Sequence, residues 1–155
     1  MLTHQPTHGR SSLRAVTRWL VSGVRSGQDR PLPRLADVHP GPPTGGRWVG
    51  LRTVQVERIR GTASMAASRG QDFGPLDGRE PADWQVRWSR LMSAERAQVT
   101  MPPVQLVRAG GDYWVVDGHN RVALARKRGQ VWIDADITEL DVGSDSVAAR
   151  AAKEN

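Results

Sequence analysis

Large apolar side chains recur along the chain in two rhythms, and the change of rhythm divides it. Leu13, Val16, Leu20 and Val24 fall three or four residues apart, with Trp19 beside them and Arg14, Arg18 and Arg25 on other faces. This spacing predicts a short amphipathic helix, capped by Ser11 or Ser12. Ahead of it, residues 1–10 show no period. Behind it, Pro31, Pro33, Pro40, Pro42 and Pro43, with Gly41, Gly45 and Gly46, break any helix, so residues 26–47 are expected as an irregular connection. In residues 53–59 the period drops to two. Val54 and Val56 alternate with Gln55 and Glu57, which predicts a half-buried strand ending at Gly61.

Residues 60–80 are small, polar and rich in glycine, the composition of a long loop, and loops of that length are usually functional or mobile. Pro81 and Asp83 then open a helix near 82–97 whose Trp84, Trp88, Leu91 and Met92 share one side. Residues 104–107 predict a strand, Gly110, Gly111 and Asp112 a tight turn, and residues 113–116 the hairpin partner. A helix near 119–129 follows at once. It carries Val122, Leu124 and Ala125, and stops at Gly129 behind Arg126, Lys127 and Arg128, whose charges suit the negative end of the helix dipole. Val131, Ile133, Ala135 and Ile137 alternate with Trp132, Asp134, Asp136 and Thr138 as a last strand.

These elements predict one α+β domain. Four strands near 53–59, 104–108, 113–117 and 131–138 form one sheet, packed by two helices, with Trp84, Trp88, Leu91, Val122, Leu124 and Ile133 in the core. Residues 1–47 are expected as a loose start, the amphipathic helix and the connection, residues 48–142 as the folded domain, and residues 143–155 as a flexible tail poor in large apolar side chains.

Composition narrows the chemistry. A length of 155 residues allows one ordinary domain. The chain has no cysteine, which excludes thiol nucleophiles, dithiol redox chemistry, thiolate zinc sites and iron–sulfur clusters, and fits a reducing cytoplasm. No apolar run approaches the roughly 18 residues of a spanning helix, and no apolar leader core follows Met1. A cytoplasmic protein without a membrane span is therefore expected. The net charge is +6, and residues 1–50 carry seven arginines against two acids. A basic segment of this kind attracts phosphate-rich polymers, so DNA along the N-terminal half is one partner to weigh.

Candidate chemistry concentrates at Asp117, Gly118, His119, Asn120 and Arg121, where a strand becomes a helix. Free amides at a helix N-terminus point outward with partial positive charge and can receive an anion. Gly118 allows close backbone approach, Arg121 offers a planar donor fork, and His119 and Asn120 add further donors. The Asp117 carboxylate repels a bare phosphate, so it serves either as the helix cap or through Mg²⁺ or a substrate hydroxyl. The same turn also occurs as a plain joint between strand and helix. His4, His8, His39 and His119 lack metal-ligand spacing, so no metal site is expected. Asp134 and Asp136 share one face of the last strand, as either a cation pair or a solvated face.

The run MPPVQLVRAGGDYWVVDGHNRVALARKRGQVWIDADITEL resembles the ParB/sulfiredoxin-like superfamily, in particular bacterial single-domain members with a D-G-H-x-R-V motif after a Y-x-V-x strand. Upstream, VQVERIRGTA looks like the first strand and turn of that subfamily, and Arg69, Asp72, Phe73 and the helix of Trp84 and Trp88 resemble its middle. Together these features span residues 47–142.

The resemblance implies a small mixed sheet with packed helices, in which the motif turn holds the phosphates of a nucleotide: CTP, ATP or ADP with Mg²⁺. Partition proteins carry Gly-Glu-Arg-Arg at this turn, of which Gly118 and Arg121 keep the first and last. Sulfiredoxin carries Gly-Cys-His-Arg, and His119 at the cysteine position excludes its thiol repair chemistry. ADP-dependent free-serine kinases carry Asp-Gly-His-Thr-Arg, closer to residues 117–121, with Glu57 the nearest candidate for their catalytic glutamate. The chain is too short to add the helix-turn-helix and dimerisation domains of a complete partition protein.

The expected function is thus a nucleotide- or phosphate-binding ParB-like protein, with Asp117, Gly118, His119, Asn120 and Arg121 as its site. The alternatives are a small-molecule phosphoryl-transfer enzyme and a DNA-associated accessory protein. Turnover and homodimer formation stay open.

Overall fold

In a computed structural model the described residues are 30–64, 69–76 and 83–142. The amphipathic helix expected around residues 11–25 and the tail expected over 143–155 lie outside them. Five strands form one mixed sheet: β1 (Thr44–Gln55), β2 (Ile59–Thr62), β3 (Val104–Ala109), β4 (Asp112–Asp117) and β5 (Trp132–Asp141). Their order is β1-β5-β3-β4-β2. β1 runs antiparallel to β5 and β3 antiparallel to β4, while β3 with β5 and β2 with β4 are parallel pairs. The helices are a single turn, α1 (Leu35–Val38), then α2 (Trp84–Arg96) and α3 (His119–Lys127).

α2 and α3 cover one face of the sheet. Trp84, Trp88, Val122, Ala123 and Leu124 pack there on Val54, Ile59, Val104, Leu106, Val115, Ala135 and Ile137. Leu91 and Ile133 join this core partly buried. The indoles of Trp84 and Trp88 stack with centroids 5.4 Å apart, as their spacing of one helical turn permits. On the other face Val107, Ala109 and Trp114 form a smaller cluster beneath Leu35 of α1.

The expected strand over 53–59 is corrected to two strands. β1 pairs with β5 as far as Gln55 opposite Trp132, where β5 begins, and a last backbone bond joins Val56 N–H to Val131 O at 3.0 Å. A 3₁₀ turn over Val56–Arg58 carries the chain away, and β2 starts at Ile59 on the opposite edge of the sheet. Val56 and Ile59 are buried either way, which is why the local alternation looks continuous. Glu57 consequently lies exposed in the turn, not on a strand.

The irregular connection expected over 26–47 is also corrected. β1 begins at Thr44, and its ladder passes Gly45 and Gly46 with a register shift, because Leu140 and Asp141 of β5 extend far enough to pair with it. A bulge of this kind absorbs residues that interrupt a regular strand.

Candidate functional site

The turn between β4 and α3 sits at the edge of a cleft of about 360 Å³ between α2 and the start of α3. Gly118 is the residue before the helix, in the left-handed region at φ +99°. A Cβ there would stand 2.7 Å from Val104 Cγ1, so the close packing of the turn on β3 requires glycine as much as the backbone angle does. The first helical bond runs from Val122 N–H to Gly118 O at 3.0 Å, so the amides of His119, Asn120 and Arg121 precede the ladder. Of the two roles left open for Asp117, the helix cap is not formed. Its carboxylate instead accepts from Arg121 Nη2 at 3.0 Å, one turn along.

The five expected site residues all line the cleft but differ in what they offer it. His119 is buried, with Nε2 2.9 Å from Thr62 Oγ1 and its ring tilted against Phe73 at 6.4 Å. Burial, followed by the nearby Arg69 charge, lowers its pKa to about 4 against a weaker opposing pull from Asp117, so the imidazole is neutral at pH 7. Asn120 Oδ1 accepts from Arg69 Nη1 at 2.9 Å. Arg121 donates to the carbonyls of Pro102 and Pro103, the latter at 2.9 Å, as well as to Asp117, so much of its donor fork is occupied within the protein.

Three more arginines face the same space. Arg69 bridges the two helices. Its guanidinium lies 5.2 Å from the centre of the Trp84 ring on α2 and bonds Asn120 on α3, while Nη1 also donates to Phe73 O at 2.8 Å. Burial, then repulsion from Arg87, lowers its pKa, with Asp83 opposing. Arg87 pairs with Asp83 on its own helix. Arg90 has neither hydrogen bond nor ion pair among the described residues. Leu91, Ala94, Met101 and Pro102 complete the lining with apolar surface.

The two helices beside the cleft are tied together at both ends. Arg69 ties the start of α2 to the start of α3, and an ion pair between Glu95 and Arg128 ties their far ends. Such bracing suits a largely preformed pocket.

Arg87, Arg90 and Thr62 are not among the residues that the sequence pattern singled out. Their spacing of three residues put the two arginines on one side of α2; nothing local said what that side would face. Away from the cleft, Asp134 accepts from Thr53 at 3.2 Å and Asp136 from Trp48 Nε1 at 2.6 Å. Among the described residues no group of three or more His, Asp or Glu side chains is placed to hold a metal ion.

No family model and no curated protein matches the chain. Among solved structures it is similar to sulfiredoxin from Arabidopsis thaliana, at 19% identity and a TM-score of 0.39, over 66% of this chain and 96% of that one. It is also similar to a Pnob8-like ParB-N domain, at 17% identity and a TM-score of 0.38, over 72% of this chain and 37% of that one. The α+β architecture, one mixed sheet with packed helices, is the one expected from the sequence.

Proposed function

We propose that the chain is a nucleotide- or phosphate-binding protein that holds phosphate groups in the cleft at residues 117–121. The observation that carries this reading is the charge of the lining: among the described residues, Arg69, Arg87, Arg90 and Arg121 against the single carboxylate of Asp117. Guanidinium forks match phosphate oxygens in geometry as well as charge, and the free amides of α3 add donors of fixed direction. Within the expected site the neutral His119 acts through its position. It fixes the turn against Thr62, while Asp117 and Arg121 hold each other and Arg121 holds the residues before β3. The apolar wall of Leu91, Ala94, Met101 and Pro102 suits the flatter, less polar part of a nucleotide, whether CTP, ATP or ADP.

The phosphoryl-transfer alternative gains no residue from the cleft. Glu57 is not among the residues that line it, and Asp117 is paired. The basic N-terminal stretch weighed for DNA lies mostly outside the described residues.

The test is thermal unfolding across CTP, ATP, ADP and GTP at millimolar concentration. A ligand at a hundred times its dissociation constant stabilises the fold by about 2.7 kcal/mol, a rise of several degrees in Tm. A Tm unmoved by all four nucleotides refutes the proposal.

A further inference from the structure

We infer that the cleft takes its anion without a divalent cation, Arg87 and Arg90 of α2 supplying the counter-charge that a magnesium ion would otherwise bring. The inference rests on the phosphate-binding reading and sharpens it, since it states the ionic form of the ligand.

A magnesium ion is held by oxygen, usually one or two carboxylates together with waters and the phosphates themselves. Among the described residues the lining offers one carboxylate, Asp117, and Arg121 Nη2 already sits 3.0 Å from it. A cation entering here would compete with Arg121 for that oxygen and meet three further guanidinium charges. Four arginines against one aspartate leave the described lining at a formal +3, which repels a divalent cation and attracts a polyanion still carrying its full charge.

Not all four arginines are equally available. Arg69 is bonded to Phe73 O and Asn120 Oδ1, and Arg121 to two carbonyls and Asp117. Arg87 has only the exposed Asp83 at its guanidinium, and Arg90 has no partner among the described residues. These two stand three residues apart on α2, where like charges oppose each other. No hydrogen bond or ion pair among the described residues offsets that repulsion at Arg90. An anion between them would, with forks that can each take two oxygens.

The test is calorimetric titration of the full chain with inorganic pyrophosphate and with CTP, each in EDTA and in excess MgCl₂. Binding is expected in EDTA, weakened about tenfold or more when magnesium masks the phosphate charge. In EDTA the Arg90→Gln variant, altered at an exposed position, is expected to bind about tenfold more weakly with unchanged melting temperature. Arg87→Gln should behave alike. Binding that appears only with magnesium, or tightens with it, overturns the inference and leaves the phosphate-binding reading standing. Wild-type affinity in both variants overturns it too. Absence of heat with either ligand in both buffers overturns the phosphate-binding reading, and the inference falls with it.

Discussion

His119 Nε2 lies 2.9 Å from Thr62 Oγ1, which bonds the first residue of α3 to the last residue of β2 across 57 positions of sequence. Both side chains are buried, and Ser64 Oγ lies 3.0 Å from the same hydroxyl. The contact explains why a histidine in an arginine-lined cleft is neutral: its ring is directed into the protein, where burial penalises the charged form.

A stability dependence on pH follows. The His119 pKa is about 4 in the folded chain against an ordinary 6.5, so between those values the unfolded state binds the extra proton. Its contribution is complete above about pH 6.5 and declines as the pH falls towards 4, by at most about 3 kcal/mol at 1.36 kcal/mol per pKa unit. Urea unfolding at pH 7 and pH 5, above the ordinary carboxylate range, should show a lower midpoint at pH 5. His119→Gln should flatten that difference, and an equal drop in the variant would assign it to other groups.

Gly118→Ala should destabilise the fold by about 2–3 kcal/mol. The backbone stands at φ +99°, and the new Cβ would press on Val104 Cγ1 at 2.7 Å, on a strand that cannot retreat from the core. Chemical denaturation measures it. A neutral substitution would mean that the turn relaxes away from β3.

Arg121 and Asp117 should separate in magnitude although they form one ion pair. The carboxylate side chain is 70% exposed and its pairing is therefore worth well under about 1 kcal/mol, so Asp117→Ala should leave stability nearly unchanged. Arg121→Ala also strips the carbonyls of Pro102 and Pro103 of their donor and should cost about 1–3 kcal/mol. Paired unfolding curves decide it, and equal losses would show that the ion pair dominates.

Gly61→Ala should loosen the segment that leads into α1. Thr62 N–H donates to Pro33 O at 2.9 Å, and a Cβ on Gly61 would fall 2.1 Å from that same oxygen. The bridge must open, at about 2–3 kcal/mol. Hydrogen exchange at the Thr62 amide should then accelerate relative to the wild type, and unaltered protection would contradict the argument.

Local patterns were enough for α2, the β3–β4 hairpin, α3 and β5. In each, a hydrophobic period is bounded by a residue of strong backbone preference, such as Gly110 and Gly111 at the hairpin or Gly129 behind α3, whose φ values of +60°, +88° and +64° need glycine. The placing of residues 117–121 at a junction between strand and helix was legible for the same reason, Gly118 marking the change of period.

What those residues do was decided by parts of the chain far away. Residues 53–59 keep one alternation while belonging to two strands, because where a strand ends depends on where its partner starts, and β5 starts at Trp132. Arg121 reads from its neighbours as a free donor fork, yet the fold brings the Pro102 and Pro103 carbonyls to it. Buried or crowded carbonyls outside a ladder require donors wherever the chain supplies them. Arg87 and Arg90 show the converse. Sequence by itself determined that they share one side of α2, through the 3.6-residue period; only the docking of α2 and α3 on one face of the sheet turned that side towards the free amides of α3, because a cleft is formed by surfaces that meet in space and not along the chain.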